Sequence, residues 1–155
     1  MVMPKIPRNK VLSTKKCGTK AISIRRKYVS DLNQICHLDS NYEYNYALYL
    51  DYLYNAGEIA GWVRNTTLFY FSKPIQVLSR NSEQKSYRPD FIIFNKDGTY
   101  EIHEVKGWFN EKAKEVDKQF KKDYPNLAYK LIKKEDILSL QQQFKDKLWG
   151  WEEVR

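Results

Sequence analysis

The alternation of apolar and polar residues along the chain predicts three helices separated by short strands. Apolar residues at helical spacing predict the helices, and short β-branched and aromatic runs predict the strands. The helices cover residues 40–55, 111–123 and 136–148, and the strands cover 59–63, 66–71, 128–132 and two runs beside residues 95–98. Residues 72–86 are predicted to be irregular, with brief strand pairing at residues 75–78 as the alternative. The order of one helix, a group of strands, a second helix, one strand and a last helix predicts an α/β fold, a small mixed β-sheet flanked by helices.

A turn of sequence Asn-Lys-Asp-Gly separates the two runs beside residues 95–98. A three-residue loop is a type I turn with Gly98 in the left-handed region, and its register places Asp90 opposite Glu104. A two-residue loop would place Asp90 opposite Val105 and turn Glu104 to the other face. We favour the three-residue loop because Gly follows Asp at the position that needs a positive φ.

Three ionisable residues stand in this hairpin where apolar residues would be expected. Asp90 opens the first strand, and Glu104 and Lys106 close the second. Directly opposed residues have Cβ atoms about 4.5–5.5 Å apart, and residues two apart project from the same face. Two carboxylates at that distance repel each other unless a cation lies between them. The alternative is an exposed hairpin that carries ordinary surface charges.

The pattern Pro89-Asp90, thirteen intervening residues and Glu104-Val105-Lys106 resembles the signature of the PD-(D/E)XK nuclease superfamily. The surroundings are similar too, because a helix and a strand precede the motif and a helix follows it. The resemblance covers roughly residues 38–132. It is nearest to small phage-type endonucleases and more distant from Holliday-junction resolvases. It implies a restriction-endonuclease-like core with the element order αβββαβ.

The resemblance also implies how the site works. In that superfamily the two carboxylates, here Asp90 and Glu104, bind Mg²⁺ (or Mn²⁺), and the lysine, here Lys106, assists the attacking water. Carboxylates that fix such an ion in an open site suit phosphodiester hydrolysis. The Val105 carbonyl is a further candidate metal ligand.

Relatives often draw a third acid from the first helix, and Glu43 is the candidate for that role. It shares a helix face with Ala47 and Leu50, an apolar stripe that must face the sheet. A carboxylate on a buried stripe needs a partner, and a metal is a suitable one. The alternative is a first-turn acid favoured by the helix dipole. Asp39 and Asp51 are the fallback candidates.

The composition describes a folded domain without a membrane segment. The chain has 155 residues, of which 42% are hydrophobic and 15% aromatic, which argues against global disorder. It contains no run of about 18 apolar residues and no secretory signal. Its two cysteines are Cys17 and Cys36, whose spacing fits no standard zinc site. We therefore expect reduced thiols and a cytoplasmic protein, in the host cytoplasm if it is phage-encoded.

The net charge of +8 is unevenly distributed. Residues 1–30 contain nine Lys or Arg and no acid, and the remainder of the chain carries a net charge of −1. This predicts a basic flexible N-terminal arm, residues 1–27, on a nuclease-like domain, residues 28–155. A basic arm on a near-neutral body is typical of DNA binding. The alternatives are a solvated tail and an organelle transit peptide.

Seven basic residues are the candidates for contact with DNA. They are Arg25, Arg26, Lys27, Lys85, Arg88, Lys114 and Lys118. The lysines of the helix 111–123 follow helical spacing, so a solvated lysine face is the alternative for them. Trp108 follows the motif and could wedge a distorted duplex or simply pack.

The sequence therefore predicts a Mg²⁺-dependent DNA endonuclease, a hydrolase that acts on branched or specific DNA as a resolvase, homing enzyme or phage recombination nuclease. The alternative is a catalytically inactive nuclease fold that binds nucleic acid or inhibits a host factor.

Cutting two strands is simplest with two sites, so we expect a homodimer. Trp149 and Trp151, after the apolar stripe of the last helix, are its candidate anchors. The alternative is that this segment folds onto its own core.

Overall fold

The computed structural model describes residues 11–13, 24–29, 35–77 and 82–155. Within these ranges the chain forms three helices and nine strands. The helices are α1 (Asn41–Asn55), α2 (Glu111–Asp123) and α3 (Lys134–Phe144). The strands are β1 (Val11–Ser13), β2 (Ile24–Val29), β3 (Ile35–Leu38), β4 (Gly61–Arg64), β5 (Phe69–Val77), β6 (Ser82–Tyr87), β7 (Phe91–Phe94), β8 (Tyr100–Lys106) and β9 (Ala128–Lys133).

The central sheet has the strand order β4-β7-β8-β9. Its pairs are antiparallel except β8 and β9, which run parallel, so the sheet is mixed. One face packs against α1 and α3 through a core that includes Phe91, Ile93 and Ile137. The other face packs against α2 and β5 through a second core that includes Ile102 and Phe120. The prediction of a small mixed sheet with helices on both faces is confirmed.

The first helix begins and ends at the predicted residues. Ser40 adopts an extended conformation, and its side chain accepts a hydrogen bond from the Glu43 amide. Gly57, two residues beyond the helix, has a φ of 76°, a conformation that glycine adopts without strain. Glu43 lies on the buried face of this helix together with Leu50, as its position in the apolar stripe predicts.

The β7–β8 hairpin has the predicted three-residue loop. The Asn95 amide donates to the Thr99 carbonyl at 2.8 Å, and Gly98 has a φ of 88°. Ile92 pairs with Ile102 in the resulting register. The paired residues end one position before Asp90 and Glu104, which the same register would place opposite each other.

The segment 72–86 differs from the prediction. Most of it forms an antiparallel hairpin of β5 and β6, whose register shifts between Tyr70 and Ile75. The prediction failed because residues 72–76 and 82–86 are mostly polar, so they give no apolar alternation. The last helix was predicted at residues 136–148 and is observed at Lys134–Phe144, so it begins two residues and ends four residues earlier than predicted.

The predicted flexible arm, residues 1–27, contains strands. β1 pairs with β2 and β2 with β3 in an antiparallel three-stranded sheet, so the boundary predicted after residue 27 falls inside β2. For β1 and the beginning of β2, the prediction of a flexible arm is wrong. Residues 1–10 and 14–23 lie outside the described residues.

The C-terminal segment folds onto the core of its own chain. Ile137 and Leu148 are buried, and Trp151 packs against the same core. Trp149 is 46% exposed. The apolar stripe of α3 therefore does not by itself require a second chain. No helix of the described residues is long and apolar enough to cross a bilayer.

Replacing Gly98 by Ala is expected to destabilise the protein by about 1–2 kcal/mol, because a residue with a Cβ is strained at positive φ. An added Cβ would meet nothing within 4 Å, so the cost is conformational rather than steric. Gly98→Asn should cost less, since Asn tolerates the left-handed region. Urea denaturation measures both. Equal stability of Gly98→Ala and the wild type would contradict the loop geometry.

Candidate active site

A cleft of about 460 Å³ opens at one end of the central sheet. The end of β4, the residues before β7, the end of β8 and the beginnings of α1 and α2 meet around it. Buried carboxylates of Glu43, Asp90 and Glu104 line its interior. Exposed Arg88 and Trp108 also line it. The cleft therefore combines buried negative charge with exposed polar and aromatic groups.

Asp90 and Glu104 are linked by hydrogen bonds in which backbone amides donate to their carboxylates. The Asp90 amide donates to Glu104 Oε2 at 3.1 Å, and the Val105 amide donates to Asp90 Oδ2 at 2.8 Å. The two residues are only 8% and 2% exposed. The hairpin register thus brings the two predicted carboxylates together.

Lys106 is bonded to one of these carboxylates. Its Nζ lies 2.7 Å from Glu104 Oε1, and its side chain is 37% exposed. Burial, and next the charge of Asp90, raises the pKa of Glu104 to about 7, although Lys106 opposes the shift. Burial acts to lower the pKa of Lys106, but the charge and hydrogen bond of Glu104, together with the charges of Asp90 and Glu43, outweigh burial and the pKa rises. Lys106 therefore stays charged next to Glu104, whose carboxyl group ionises at a higher pH than usual.

Glu43 reaches the cleft from the first turn of α1. Its Oε2 accepts the Asp39 amide at 2.9 Å and lies 3.1 Å from Arg64 Nη2. Burial, followed by the charge of Asp90, raises the pKa of Glu43 to about 7. Glu43 therefore lines the same cleft as the hairpin carboxylates, and its role as a third acid stays a prediction.

Arg64, which the sequence analysis missed, lies between two of the acids. Its Nη1 donates to Asp90 Oδ1 at 2.8 Å and to the Asp90 carbonyl at 3.2 Å, and its Nη2 contacts Glu43. The guanidinium also lies 5.3 Å from the centre of the Phe91 ring. Its only signal in the sequence is a charge at the end of the apolar run Gly-Trp-Val-Arg. That signal does not reveal a partner 26 residues away.

The donor chemistry of the site fits a hard cation, but only two of the three acids adjoin each other directly. Buried carboxylates are the oxygen ligands that Mg²⁺ uses. The raised pKa of Glu104 shows that its negative charge is incompletely compensated. The Val105 amide and carbonyl share one edge of β8, the edge that bonds Asp90. Asp90, Glu104 and the Val105 carbonyl are thus the fitting donor set.

Glu43 is bridged to Asp90 through Arg64 rather than directly. In the part of the chain that the structure describes, no group of three or more His, Cys, Asp or Glu is arranged to hold a metal ion. A third carboxylate ligand would therefore require Arg64 to move.

The fallback acids occupy different places. Asp39 lines the cleft and lies 3.7 Å from Arg64. Asp51 is fully buried away from the cleft, where its Oδ1 accepts a hydrogen bond from Trp62 Nε1 at 2.9 Å. Asp51 is therefore a structural residue of α1, and the fallback role suggested for it is wrong.

The candidate DNA contacts divide into three groups. Arg88 lines the cleft, and so does Lys112, which the sequence analysis did not single out. Three other candidates, Lys85, Lys114 and Lys118, are exposed but do not line the cleft. Only the backbone of β2 is described, and it carries Arg25, Arg26 and Lys27.

Comparison with known proteins gives one match. Residues 25–140 match the family described as "Protein of unknown function (DUF1064)". The chain belongs to this family. No curated protein and no solved structure matches the chain. The matched range includes every residue that lines the cleft.

Glu104→Gln is expected to flatten the dependence of stability on pH. The pKa of Glu104 is raised from 4.5 to about 7 in the folded protein. As pH falls, the folded state therefore binds a proton on Glu104 before the unfolded state does. The free energy of unfolding consequently rises as pH falls from about 7 to 4.5. The contribution is on the order of 3 kcal/mol. Glu104→Gln removes this slope.

Urea denaturation between pH 8 and pH 4.5 measures the effect, with Glu101→Gln as the control. Glu101 lies on the same strand with a 39% exposed side chain. Parallel curves for Glu104→Gln and the wild type would contradict the electrostatics of the cleft.

Proposed function

We propose that this chain is a metal-dependent endonuclease that hydrolyses phosphodiester bonds in DNA. The observation that carries the proposal is the buried pair of Asp90 and Glu104, with Lys106 bonded to Glu104 at the opening of the cleft. Two carboxylates and an ammonium group at this spacing suit the binding of a divalent cation next to a phosphodiester.

The side chains have separate roles in this proposal. Asp90, Glu104 and the Val105 carbonyl would hold Mg²⁺ or Mn²⁺. When bound, the ion supplies neutralisation of the phosphate charge and an activated water. Lys106 orients the attacking water and donates to the charge that develops on the phosphate, because its ammonium group is compact and has rotatable donors.

The topology supports a restriction-endonuclease-like core. Without the β5–β6 hairpin, the chain from residue 41 to residue 133 has the order α1, β4, β7, β8, α2, β9. This is the order αβββαβ that the resemblance implies, with the hairpin as an insertion between β4 and β7. The candidate ligands stand at the ends of the two middle strands of the sheet, where β6 and the beginnings of α1 and α2 line the cleft.

DNA is the proposed partner because cations lie beside the acids. Arg88 and Lys112 are exposed in the cleft lining and can pair with phosphates on either side of the bond that is cut. The excess of basic residues adds a sequence-independent attraction to nucleic acid. A homodimer and a cytoplasmic location, both predicted from the sequence, belong to this proposal. Of the two candidate Trp anchors of such a dimer, Trp149 is the more exposed in the single chain.

One observation favours a second function. Arg64 already neutralises part of the charge on Glu43 and Asp90, as a metal ion would. If the guanidinium never leaves that place, the chain is an inactive nuclease fold that binds nucleic acid or inhibits a host factor. The intact set of Asp90, Glu104 and Lys106 favours the enzyme.

The variants Asp90→Asn, Glu104→Gln and Lys106→Met are each expected to lower the cleavage rate at least about 100-fold while the protein stays folded. The assay compares plasmid, linear, single-stranded and four-way-junction DNA in Mg²⁺, Mn²⁺ or EDTA. Lys145→Met is the control, because Lys145 is exposed and pairs with Glu153 outside the cleft.

A variant that cleaves at the wild-type rate would remove its residue from the proposed mechanism. A wild-type protein that binds DNA and cuts none of the four substrates would favour the inactive alternative.

Arg64→Met is expected to destabilise the metal-free protein by about 3 kcal/mol, because it leaves buried carboxylates without a partner. Millimolar Mg²⁺ or Mn²⁺ should then raise the unfolding temperature of the variant more than that of the wild type, since a ligand of the folded state stabilises it. Thermal unfolding measures both effects.

Arg88→Met is the matched control, an exposed arginine in the same cleft. Equal metal-induced shifts in the wild type and Arg64→Met would show that Arg64 does not compete with the metal. Shifts in neither protein would argue against the metal site itself.

A further inference from the structure

Trp108 is 82% exposed, and the next most exposed large hydrophobic residue in the described part of the chain, Tyr70, is 64% exposed. It follows Lys106 by two residues and lines the cleft. The sequence left two roles open for this residue, wedging and packing, and an exposure of 82% argues against packing on the described part of the chain. Such a large apolar side chain can still gain burial energy when a ligand covers it.

The position of Trp108 is fixed by the residues on both sides. A Cβ added at Gly107 would lie 2.7 Å from Tyr42 Cε2, so the backbone passes directly against that ring. On the other side Phe109 is half-buried, with Lys133 Nζ 5.2 Å from the centre of its ring. Since both neighbouring residues are packed against other side chains, the backbone of Trp108 is fixed and holds the indole at the edge of the cleft.

The groups around the indole match the chemistry of a nucleotide. Arg88 and Lys112 are exposed in the lining of the same cleft, and Lys106 is partly exposed beside it. A flat aromatic side chain next to several cations binds a strand whose bases stack and whose phosphates pair with the cations. An acidic peptide would match the cations but would gain little from the aromatic face.

The face of the indole can stack only on a base whose own face is free. In an intact duplex each base is covered above and below by its neighbours, so only the edges face the grooves. A free base face occurs in a single strand, at a frayed end, or where a duplex branches. Base stacking on an aromatic side chain contributes about 1–3 kcal/mol by alanine substitution.

We propose that Trp108 stacks on an unpaired base of a DNA strand whose phosphate lies in the cleft of Asp90 and Glu104. The substrate class is therefore DNA with an unpaired nucleotide beside the bond that is cut. This inference rests on the proposed endonuclease function for the identity of the cleft, but it concerns binding and not hydrolysis.

The test measures binding of the full chain to three fluorescein-labelled DNAs in EDTA, where no metal supports cleavage. The DNAs are a single strand, the matching blunt duplex, and that duplex with a single-stranded flap. Trp108→Ala should weaken binding to the single strand and the flap by about 5- to 150-fold, which corresponds to the stacking energy. Binding to the duplex should change less than about twofold, and Trp108→Phe should retain part of the affinity.

Tyr70→Ala is the matched control, because Tyr70 is 64% exposed and does not line the cleft. The control should bind all three DNAs as the wild type does. Intrinsic fluorescence provides a second measurement, since single-stranded DNA should quench the wild type and quench Trp108→Phe much less.

Equal losses on all three DNAs, or no loss on any, would overturn the inference. Tighter Trp108-dependent binding to an RNA strand of the same sequence would overturn DNA as the substrate class. Trp108-dependent binding without cleavage of any DNA in Mg²⁺ or Mn²⁺ would support the stacking role while the endonuclease proposal failed. Cleavage that depends on Asp90, with no effect of Trp108→Ala on single-strand binding, would defeat this inference alone.

Discussion

The end of the central sheet depends on a balance of buried charge. Three carboxylates, Glu43, Asp90 and Glu104, are held by the two cations Arg64 and Lys106. Removing such charges from water costs several kcal/mol for each ion, so the pairing must be geometrically good. Burial, and after it the charge of Asp90, raises the pKa values of Glu43 and Glu104, because the two cations do not fully offset the three acids. In the proposed function, a divalent cation would supply the missing positive charge.

This balance of charge requires the strands that carry the charged residues to pair in one register. Arg64 ends β4, Asp90 precedes β7, and Glu104 comes from β8, so three neighbouring strands of one sheet contribute. Successive residues of a strand point to opposite faces, so a slip of one position would turn Glu104 away from the cleft. The loop at Gly98 sets that register. Its positive φ is therefore a condition for the site, although the loop lies at the opposite end of β7 and β8.

Local signals predicted much of the fold and the centre of the site, and contacts distant in sequence were missed. The cap at Ser40 and the loop at Gly98 follow from chemistry within a few residues, and the hairpin then brings its two carboxylates together. Arg64 was missed because its role depends on strand pairing across an intervening hairpin. That hairpin was itself missed because the residues of Ser82–Tyr87 are mostly polar and exposed. The charges of the basic segment were evident, but its strands were not.

The β5–β6 hairpin has a consequence for how this domain can vary. It leaves the central sheet after β4 and returns before β7, and those two strands still pair directly, with Trp62 opposite Ile93. Two of its residues, Gln84 and Tyr87, nevertheless form part of the cleft wall. The hairpin thus behaves as an exchangeable module. Its distal part can change in length or sequence and reshape the entrance, while the strands that carry the acids keep their alignment.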